Sequence, residues 1–221
     1  MLFNIGGQES AGIVISDGEK FKHHKGMGLV SDVFSKETIE GLRGQSAIGH
    51  VRYSTTGASK SDNAQPIVGT YKLGSIAIAH NGNLVNAAVI RELLEDGGCI
   101  FQTSIDTEVL LNLIARSAKK GIDKAVVDAI QAIKGSYAIV ILTEDKLIGG
   151  ARDTHGIRPM CLGGKIGGED YLLSSESCAF DCVGGEFIRD IEPGGEIVII
   201  DENGIDSIKF AEKTKMSYLC F

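Results

Sequence analysis

The amino-acid sequence predicts an α+β fold with mainly antiparallel sheets, and three observations support that class. Short apolar runs rich in β-branched residues fill both ends of the chain, and three amphipathic stretches separate them between residues 86 and 135. Glycine makes up 29 of the 221 residues, about twice its usual share, and falls between the runs as a turn signal. The sequence contains neither a glycine-rich dinucleotide fingerprint nor a Walker A loop, so a doubly wound nucleotide-binding sheet is not indicated.

The amino-terminal part of the chain predicts a hairpin followed by two further strands. "AGIVIS" ends at Asp17-Gly18, a turn signal, and "EKFKHHKGMG" follows as its partner strand. "SAIGHVRYST" and "LGSIAIAHNG" are the next apolar runs. The second of these is expected to stop at Asn81-Gly82, because this dipeptide readily takes positive φ.

The central part of the chain predicts three helices. In "NAAVIRELLEDGG", Val89, Leu93 and Leu94 repeat at helical spacing, and the double glycine provides the stop. "SIDTEVLLNLIARSAKKG" offers Ser104 and Asp106 as capping residues, and "IDKAVVDAIQAIKG" is the third amphipathic stretch. The pattern then returns to strands, with one short helix expected in "SESCAFDCVGG".

Composition excludes several classes of protein. The net charge of −7 argues against broad electrostatic binding of nucleic acid. No apolar run approaches the ~20 residues of a membrane span and no signal peptide is evident, so no membrane partner and a cytoplasmic location are expected. The five cysteines lack the paired spacing of a disulfide scaffold, and no metal site is predicted. No linker-like segment divides the sequence, so residues 1–221 are predicted to form a single domain.

Three polar islands at the ends of apolar runs are the candidate functional residues. They are "GHVRYSTTG" around Arg52, "AHNGNL" around Asn81 and Gly82, and "TSIDTEV" around Asp106. Arg52 could grip a carboxylate with two parallel hydrogen bonds, and Asp106 could accept from an ammonium group. Asn81 and the backbone N–H of Gly82 could donate to a developing oxyanion. Each island also has an ordinary structural interpretation, as an ion pair, a turn or a helix cap.

The islands together resemble a known family of enzyme domains. With GQESAGI, NAQP, ARDTHGIRP, SSESCAFD and RDIEPG, they resemble the class II glutamine amidotransferase domain of amidophosphoribosyltransferases, from Gly7 to about Phe210. HVRYSTTG with NAQP, and HGIRP, favour this purine branch over the related glucosamine-phosphate branch. The resemblance implies an N-terminal-nucleophile fold, a four-layer αββα sandwich with two mainly antiparallel sheets.

The resemblance also implies L-glutamine as the amino acid that is bound. Arg52 would hold the glutamine α-carboxylate, Asp106 its α-ammonium, and Asn81 with Gly82 would form the oxyanion hole. Ile105 stands where the family more often carries a small polar residue. No catalytic role is expected for the three histidines inside the motifs, which are assigned to packing or turn hydrogen bonds: His50, His80 and His155.

The family's nucleophile is a cysteine at the mature amino terminus, and this sequence begins differently. That thiolate attacks the side-chain amide of glutamine, ammonia leaves, and the resulting thioester is hydrolysed to glutamate. Met1 has no thiol, Leu2 is no better, and the nearest cysteine is Cys99. The domain is therefore expected to be incomplete at its amino terminus, lacking the strand that bears the nucleophile, and the chain is expected to lack glutaminase activity by itself.

The resemblance implies further parts that this sequence does not supply. A phosphoribosyltransferase domain would pass glutamine-derived ammonia to phosphoribosyl pyrophosphate, giving 5-phosphoribosylamine in the first step of purine synthesis. Full-length family members use Mg²⁺, and some carry a [4Fe–4S] cluster, but no cofactor is expected in this chain. A homo-oligomer is expected. The alternative hypothesis is a non-catalytic glutamine-binding module or scaffold that kept the pocket without the chemistry.

Overall fold

A computed structural model describes residues 9–53, 60–165, 168 and 170–210. Met1, the first two residues of GQESAGI and the STTG segment lie outside the described residues. The strands are β1 (Ser10–Ser16), β2 (Phe21–Met27), β3 (Ser46–Arg52), β4 (Ile67–Tyr71), β5 (Gly74–Leu84), β6 (Gly135–Thr143), β7 (Leu147–Arg152), β8 (Cys161–Lys165), β9 (Tyr171–Ser174), β10 (Gly185–Asp190), β11 (Glu196–Asp201) and β12 (Gly204–Lys209). The helices are α1 (Val30–Val33), α2 (Lys36–Gly41), α3 (Ala87–Asp96), α4 (Thr107–Arg116), α5 (Ile122–Ala132) and α6 (Cys178–Val183).

The described strands form three sheets, and every described pairing is antiparallel. The largest has six strands in the order β12-β11-β7-β6-β5-β4, and the two smaller ones have the orders β2-β1-β3 and β10-β8-β9. The predicted α+β class with mainly antiparallel sheets is therefore confirmed. The hairpin of β1 and β2 is also confirmed, and β3 pairs with the other edge of β1.

Helices α3, α4 and α5 cover one face of the six-stranded sheet. Side chains alternate along a strand, so every second residue of β5 and β6 points to these helices. The buried cluster on this side is mostly aliphatic, and each fully buried isoleucine stabilises the fold by about 2 kcal/mol through loss of contact with water. Its largest fully buried members are Ile76, Ile78, Leu110, Ile114, Ile139, Ile141, Ile148 and Ile197.

The two small sheets pack side by side against the other face of the large sheet. Val14 and Ile48 of the first contact Ala77 and Ala79 of β5, in one buried cluster. In the second small sheet, Leu162 of β8 and the preceding Met160 share a buried cluster with Ala138 of β6 and Val198 of β11. Val140 of β6 packs against both clusters, so β6 lies beneath the junction of the two small sheets.

A second helical layer lies outside the small sheets. Leu162 faces the large sheet, so its neighbour Gly163 faces outward, where the ring of Phe180 in α6 covers it closely. On the other small sheet, Val33 of α1 packs over Gly26 of β2. The order helix, sheet, sheet, helix is that of the expected αββα sandwich.

Two local expectations differ from the structure. Strand β5 does not stop at Asn81-Gly82 but continues to Leu84, because Gly82 (φ +146°) keeps its pairing with β6. In α3, Leu94 is buried as expected, but Val89 and Leu93 are 62% and 63% exposed. The inner face of α3 is instead formed by Leu94 with the smaller contacts of Ala87 and Ile90.

No helix within the described ranges is both long enough and apolar enough to cross a membrane.

Candidate functional site

The candidate site is built around an open stretch of one edge of β5. The pairing of β4 with β5 ends at Ile78, whereas the pairing of β6 continues to Leu84. Backbone groups alternate between the two edges of a strand, and His80 N–H and Leu84 N–H both point away from β6 to side-chain acceptors. Gly82 lies between them, so its N–H points to the same edge, where it pairs with neither β4 nor β6.

Asp106 lies at this edge, just before the first turn of α4. Its Oδ2 accepts from the N–H of Leu84 at 2.9 Å, and its Oδ1 lies 3.3 Å from Nδ1 of His80. Burial opposes ionisation of Asp106, but the adjacent His80 ring and the N–H groups of Leu84 and Thr107 outweigh it, so the carboxyl pKa falls below its ordinary 3.8. An anionic carboxylate is therefore fixed at the same edge of β5 to which the N–H of Gly82 points.

The capping roles predicted for Ser104 and Asp106 are wrong. Asp106 occupies the N-cap position of α4 but makes no capping hydrogen bond, because its carboxylate is used by β5. Ser104 exchanges two hydrogen bonds with Asn63 instead. Both residues tie the start of α4 to distant parts of the chain rather than to the helix itself.

Asn81 and Arg52 face the interior between the large sheet and the small sheet of β1, β2 and β3. Asn81 has the same parity in β5 as Ala77 and Ala79 and pairs with Ala138 of β6, so its side chain faces the interior. Arg52 ends β3 with the same parity as the interior residue Ile48, and only 5% of its surface is exposed.

Three of the four candidate residues lie in β5 or at its edge, and Arg52 lies in β3, which packs against β5. Arg52 and Asn81 lie on the interior side of β5, whereas Asp106 is held at the edge by Leu84 and His80. The backbone of Gly82 lies between them in the strand. Residues 54–59, which continue the Arg52 motif, lie outside the described residues.

The NAQP segment braces this arrangement, a role that the sequence analysis did not assign. The Gln65 amide bonds to both backbone groups of His80, accepting from its N–H at 2.7 Å and donating to its carbonyl oxygen at 3.2 Å. Asn63 bonds to Ser104 on the far side of the edge. Lys25 of β2 donates to the carbonyl oxygen of Ala64 at 2.8 Å. The motif thus replaces the missing β4 pairing and connects three parts of the site.

The loop before Asp106 is fixed by the buried carboxylate of Glu108, which belongs to the same TSIDTEV motif as Asp106. Glu108, 6% exposed, accepts from the N–H groups of Gln102 and Thr103 and from the Thr103 hydroxyl at 2.7–2.8 Å. Arg91 of α3 donates to the carbonyl oxygen of Thr103 and lies over the ring of Phe101. The approach of the chain to Asp106 is therefore rigidly specified by its neighbours.

The ARDTHGIRP stretch also serves a structural purpose, next to the strand that backs Gly82. The buried carboxylate of Asp153 accepts from four backbone N–H groups, those of Tyr137, His155, Ile157 and Arg158. Arg152 donates to three carbonyl oxygens, those of Gly156, Arg158 and Ile191. Because Tyr137 pairs directly with Gly82, this loop holds β6 in the register that the candidate site requires.

Neither cavities nor metal ligands identify the site. Two clefts of about 340 and 450 Å³ are lined by residues in or around β8 to β10 and β12, away from the four candidates. In residues 9–53, 60–165, 168 and 170–210, no group of three His, Cys, Asp or Glu side chains is placed to hold a metal ion. The chemistry of the side chains is therefore the guide: a guanidinium, a carboxylate and two amide donors suit an α-amino acid with a polar carbonyl.

Comparison with known proteins gives a consistent result. Residues 50–182 match the family model of the glutamine amidotransferase domain. The chain is 46% identical over 206 residues to the amidophosphoribosyltransferase of Bacillus subtilis, a match that covers 93% of this chain and 42% of that protein. It is 44% identical over 219 residues to the amidophosphoribosyltransferase of Archaeoglobus fulgidus, covering 97% of this chain and 46% of that protein. The chain spans less than half the length of these curated relatives.

Solved structures agree with the expected fold. The glutamine phosphoribosylpyrophosphate amidotransferase of B. subtilis, solved with ADP and GMP, is 45% identical with a TM-score of 0.85 and covers 93% of this chain and 44% of that one. A glutamine aminotransferase class-II domain protein of Silicibacter pomeroyi is 14% identical with a TM-score of 0.61, a likeness of fold alone that covers 92% of both chains. The expected N-terminal-nucleophile type of fold is confirmed.

Proposed function

Because this chain belongs to the glutamine amidotransferase domain family, we propose that it binds L-glutamine at the open edge of β5. Arg52 holds the α-carboxylate in a two-pronged contact, and Asp106 accepts the α-ammonium. The side-chain carbonyl oxygen of glutamine is then directed to the amide of Asn81 and the N–H of Gly82. The observation that carries the proposal is that the Gly82 N–H, which pairs with neither β4 nor β6, points to the same edge of β5 that holds the anionic Asp106.

The same arrangement suits hydrolysis of the glutamine side chain when a thiol is supplied. A thiolate adds to the amide carbon, and the negative charge that develops on oxygen is stabilised by Asn81 and Gly82. The carbon–nitrogen bond breaks as the nitrogen takes a proton, so ammonia leaves and a thioester remains. Water then cleaves the thioester to glutamate and the free thiol. Removing one such donor typically lowers kcat by a factor of about 10²–10³.

The thiol is proposed to come from a cysteine at the amino terminus of a strand that precedes Gly7. Met1 cannot act in its place, because a thioether has no proton to lose and attacks amides poorly. A terminal amine with a pKa of about 7.7–8.0 would serve as the local base for such a cysteine. For the sequence as printed we propose binding of glutamine, and hydrolysis for a form led by cysteine.

The reaction of the longer relatives extends the proposal. We propose that ammonia released here is passed to phosphoribosyl pyrophosphate, held by a phosphoribosyltransferase domain, to give 5-phosphoribosylamine for purine synthesis. A cytoplasmic homo-oligomer is the proposed setting. The described residues do not fit Mg²⁺ or an iron–sulfur cluster, so no step is assigned to a metal in this part of the protein.

Calorimetric titration of L-glutamine into the 221-residue chain tests the binding proposal. Saturable binding is expected, and Arg52→Lys should weaken it at least about tenfold, because an ammonium cannot form the two-pronged contact. Arg43→Lys is the matched control, since Arg43 is exposed and, among the described residues, donates to a carbonyl oxygen of its own turn, that of Glu40. Absence of heat from the folded chain, or equal effects of the two variants, would overturn the assignment.

A second experiment separates an enzyme domain from a non-catalytic binding module. The amino-terminal cysteine strand of a relative is joined to the chain before Gly7, and release of glutamate from glutamine is measured. Turnover that is lost on replacing that cysteine by serine supports the enzyme. Tight binding without turnover in the folded, cysteine-led protein supports the binding module.

A further inference from the structure

His80 precedes the candidate oxyanion residues in β5 and is more constrained than a packing residue requires. It is 4% exposed, and its ring faces the helices, on the side of β5 opposite Asn81. The Gln65 side chain bonds to both backbone groups of His80, so the strand cannot shift along its axis at this point. A buried imidazole held in this way has a fixed direction for each of its ring nitrogens.

The two ring nitrogens of His80 have different surroundings. Nδ1 lies 3.3 Å from Oδ1 of Asp106, whereas Nε2 is buried and no described residue forms a hydrogen bond with it. A neutral imidazole carries its proton on one nitrogen only. With the proton on Nε2, a buried donor would be left unpaired and two lone pairs would face each other across the contact with Asp106, which is costly. The geometry therefore favours the tautomer with the proton on Nδ1.

We infer that His80 is a positioning residue for Asp106, whose Nδ1–H directs the carboxylate toward the ammonium group of the substrate. The inference rests on the proposed function, because it assigns Asp106 to the glutamine ammonium. His80 fixes Oδ1 and the N–H of Leu84 fixes Oδ2, so the carboxylate cannot rotate. The lone pairs that His80, Leu84 and Thr107 do not occupy are the ones left for the substrate.

The electrostatics of the neighbouring groups agree with this arrangement. The titratable groups that the described elements bring to His80 are Asp106 from the start of α4 and His50 from β3, with Arg52 next to His50. Burial, His80 and Arg52 lower the pKa of His50 to about 4, so His50 is neutral near pH 7. The pKa of Asp106 is lowered despite burial, with His80 as the chief cause. The anion that binds an ammonium is thereby maintained.

Two substitutions of similar size separate positioning from packing. His80→Asn keeps a donor close to the position of Nδ1, whereas His80→Leu has a similar volume and no donor. At pH 7, His80→Leu should weaken glutamine binding about tenfold, the loss of one hydrogen bond to a charged group, and His80→Asn should restore most of the affinity. Affinity falls as the pH drops through the pKa of Asp106. In His80→Leu this loss should begin at higher pH than in the wild type, and in His80→Asn it should not.

Two NMR measurements require no ligand: nitrogen-15 NMR of the His80 ring in the unsubstituted chain, and carbon-13 NMR of the Asp106 carboxyl in the unsubstituted chain and in His80→Asn. A protonated Nδ1 with an unprotonated Nε2 is expected, and the Asp106 pKa should remain low in both. If the proton resides on Nε2, or if the asparagine variant matches the leucine variant in affinity and pH profile, the inference is overturned, even where His80→Leu does not fold.

These readouts also separate this inference from the proposed function. If the NMR results are as expected but the wild-type chain does not bind glutamine, the proposed function fails while the coupling of His80 to Asp106 stands. If glutamine binds and the tautomer is the other one, the proposed function stands and the role of His80 fails.

Discussion

Asn63 and Ser104 hold each other through two hydrogen bonds across the open edge of β5. Asn63 Nδ2 donates to Ser104 Oγ at 2.9 Å, and the N–H of Ser104 donates to Asn63 Oδ1 at 3.1 Å. The pair joins the NAQP segment to the loop that leads into Asp106. It therefore fixes the distance between the NAQP segment and the loop before Asp106.

Replacing Asn63 by alanine is expected to weaken both stability and binding. Asn63 is 2% exposed, and the substitution removes both of its hydrogen bonds to Ser104, at a cost of about 2 kcal/mol in the free energy of unfolding. Glutamine affinity should fall as well, because the loop before Asp106 loses its tether. Urea unfolding and calorimetry measure the two effects.

Asn86→Ala is the matched control for this prediction. Asn86 also makes two hydrogen bonds, to the carbonyl oxygen of Ala132 and from the N–H of Lys134, but at the start of α3 and nearer to solvent. It should lower stability less and leave glutamine affinity unchanged. Equal losses of affinity in the two variants would contradict the bracing role of Asn63.

Gly82→Ala is expected to be among the most damaging single substitutions in β5. Gly82 has φ +146°, and a Cβ there would overlap the carbonyl oxygen of Ser136 in β6. The backbone must shift, so a loss of about 3 kcal/mol or more is expected. Gly98→Ala is the control, since Gly98 also has positive φ (+87°) but nothing lies near its missing Cβ. Its cost should stay near 1 kcal/mol; equal thermal-unfolding shifts would show that the close contact is unimportant.

Asp153→Asn should destabilise the chain although it removes only a charge. Two of the four N–H groups that the carboxylate accepts would then face an amide NH₂, so about 3 kcal/mol is expected from denaturant unfolding. Asp201→Asn is the comparison, because Asp201 is nearer to solvent and accepts from one N–H, that of Asn203. A similar midpoint for both variants would contradict the role assigned to the ARDTHGIRP loop.

The stability of the chain should fall between pH 6.5 and pH 4 because of His50. Part of the residue reaches the surface, but Nδ1 is shut off from solvent, and burial is the first cause that lowers its pKa from 6.5 to about 4. In this window the unfolded chain binds a proton that the folded chain does not, so stability decreases as the pH falls, by about 3 kcal/mol in total.

His50→Gln removes the imidazole that binds this proton in the unfolded chain, and it should flatten the pH dependence of stability over the same window. His155→Gln, at an exposed turn position, should keep the wild-type slope. Unfolding free energies measured at intervals of half a pH unit provide the check. An unchanged slope in His50→Gln would show that another group is responsible.

Thiol reactivity should differ sharply between two cysteines of the β8 to β10 region. Cys161 is buried, and burial with the nearby Asp190 raises its pKa to about 11, so only about 0.1% is thiolate at pH 8. Cys182 is exposed on α6. Alkylation with iodoacetamide followed by mass spectrometry should label Cys182 far sooner than Cys161 in the folded chain. Comparable rates would contradict the burial of Cys161.

The sequence was sufficient for the class of fold and for most elements. Short apolar runs and glycine turns predicted the strands. The β1–β2 hairpin and the short helix α6 also followed from local signals in the sequence. The face of α3 was not predictable, because Val89 and Leu93 have the spacing of a core stripe and only packing shows which side is covered. Local propensity likewise favoured a stop at Gly82, which tertiary pairing overrides.

The candidate residues were predictable as a set, but their supports were not. Asp106 looked like a helix cap because a carboxylate before a helix usually is one, whereas its partner Leu84 lies 22 positions away in sequence. His80, Gln65 and Asn63 stand inside motifs that the sequence analysis quoted. Their roles depend on the stretch of β5 that has no strand paired to one edge, and no local sequence pattern predicts that gap.

The open edge of β5 also has a consequence for the order in which parts of the molecule fold. Arg52 is positioned only when β3 pairs with β1, and NAQP and Asp106 come to the edge of β5 from segments far apart in the chain. Helices α4 and α5 rely on neighbouring contacts and can form much sooner. During refolding, ellipticity should therefore recover well before affinity for the amino acid, and the ligand becomes a reporter of the last strands to settle.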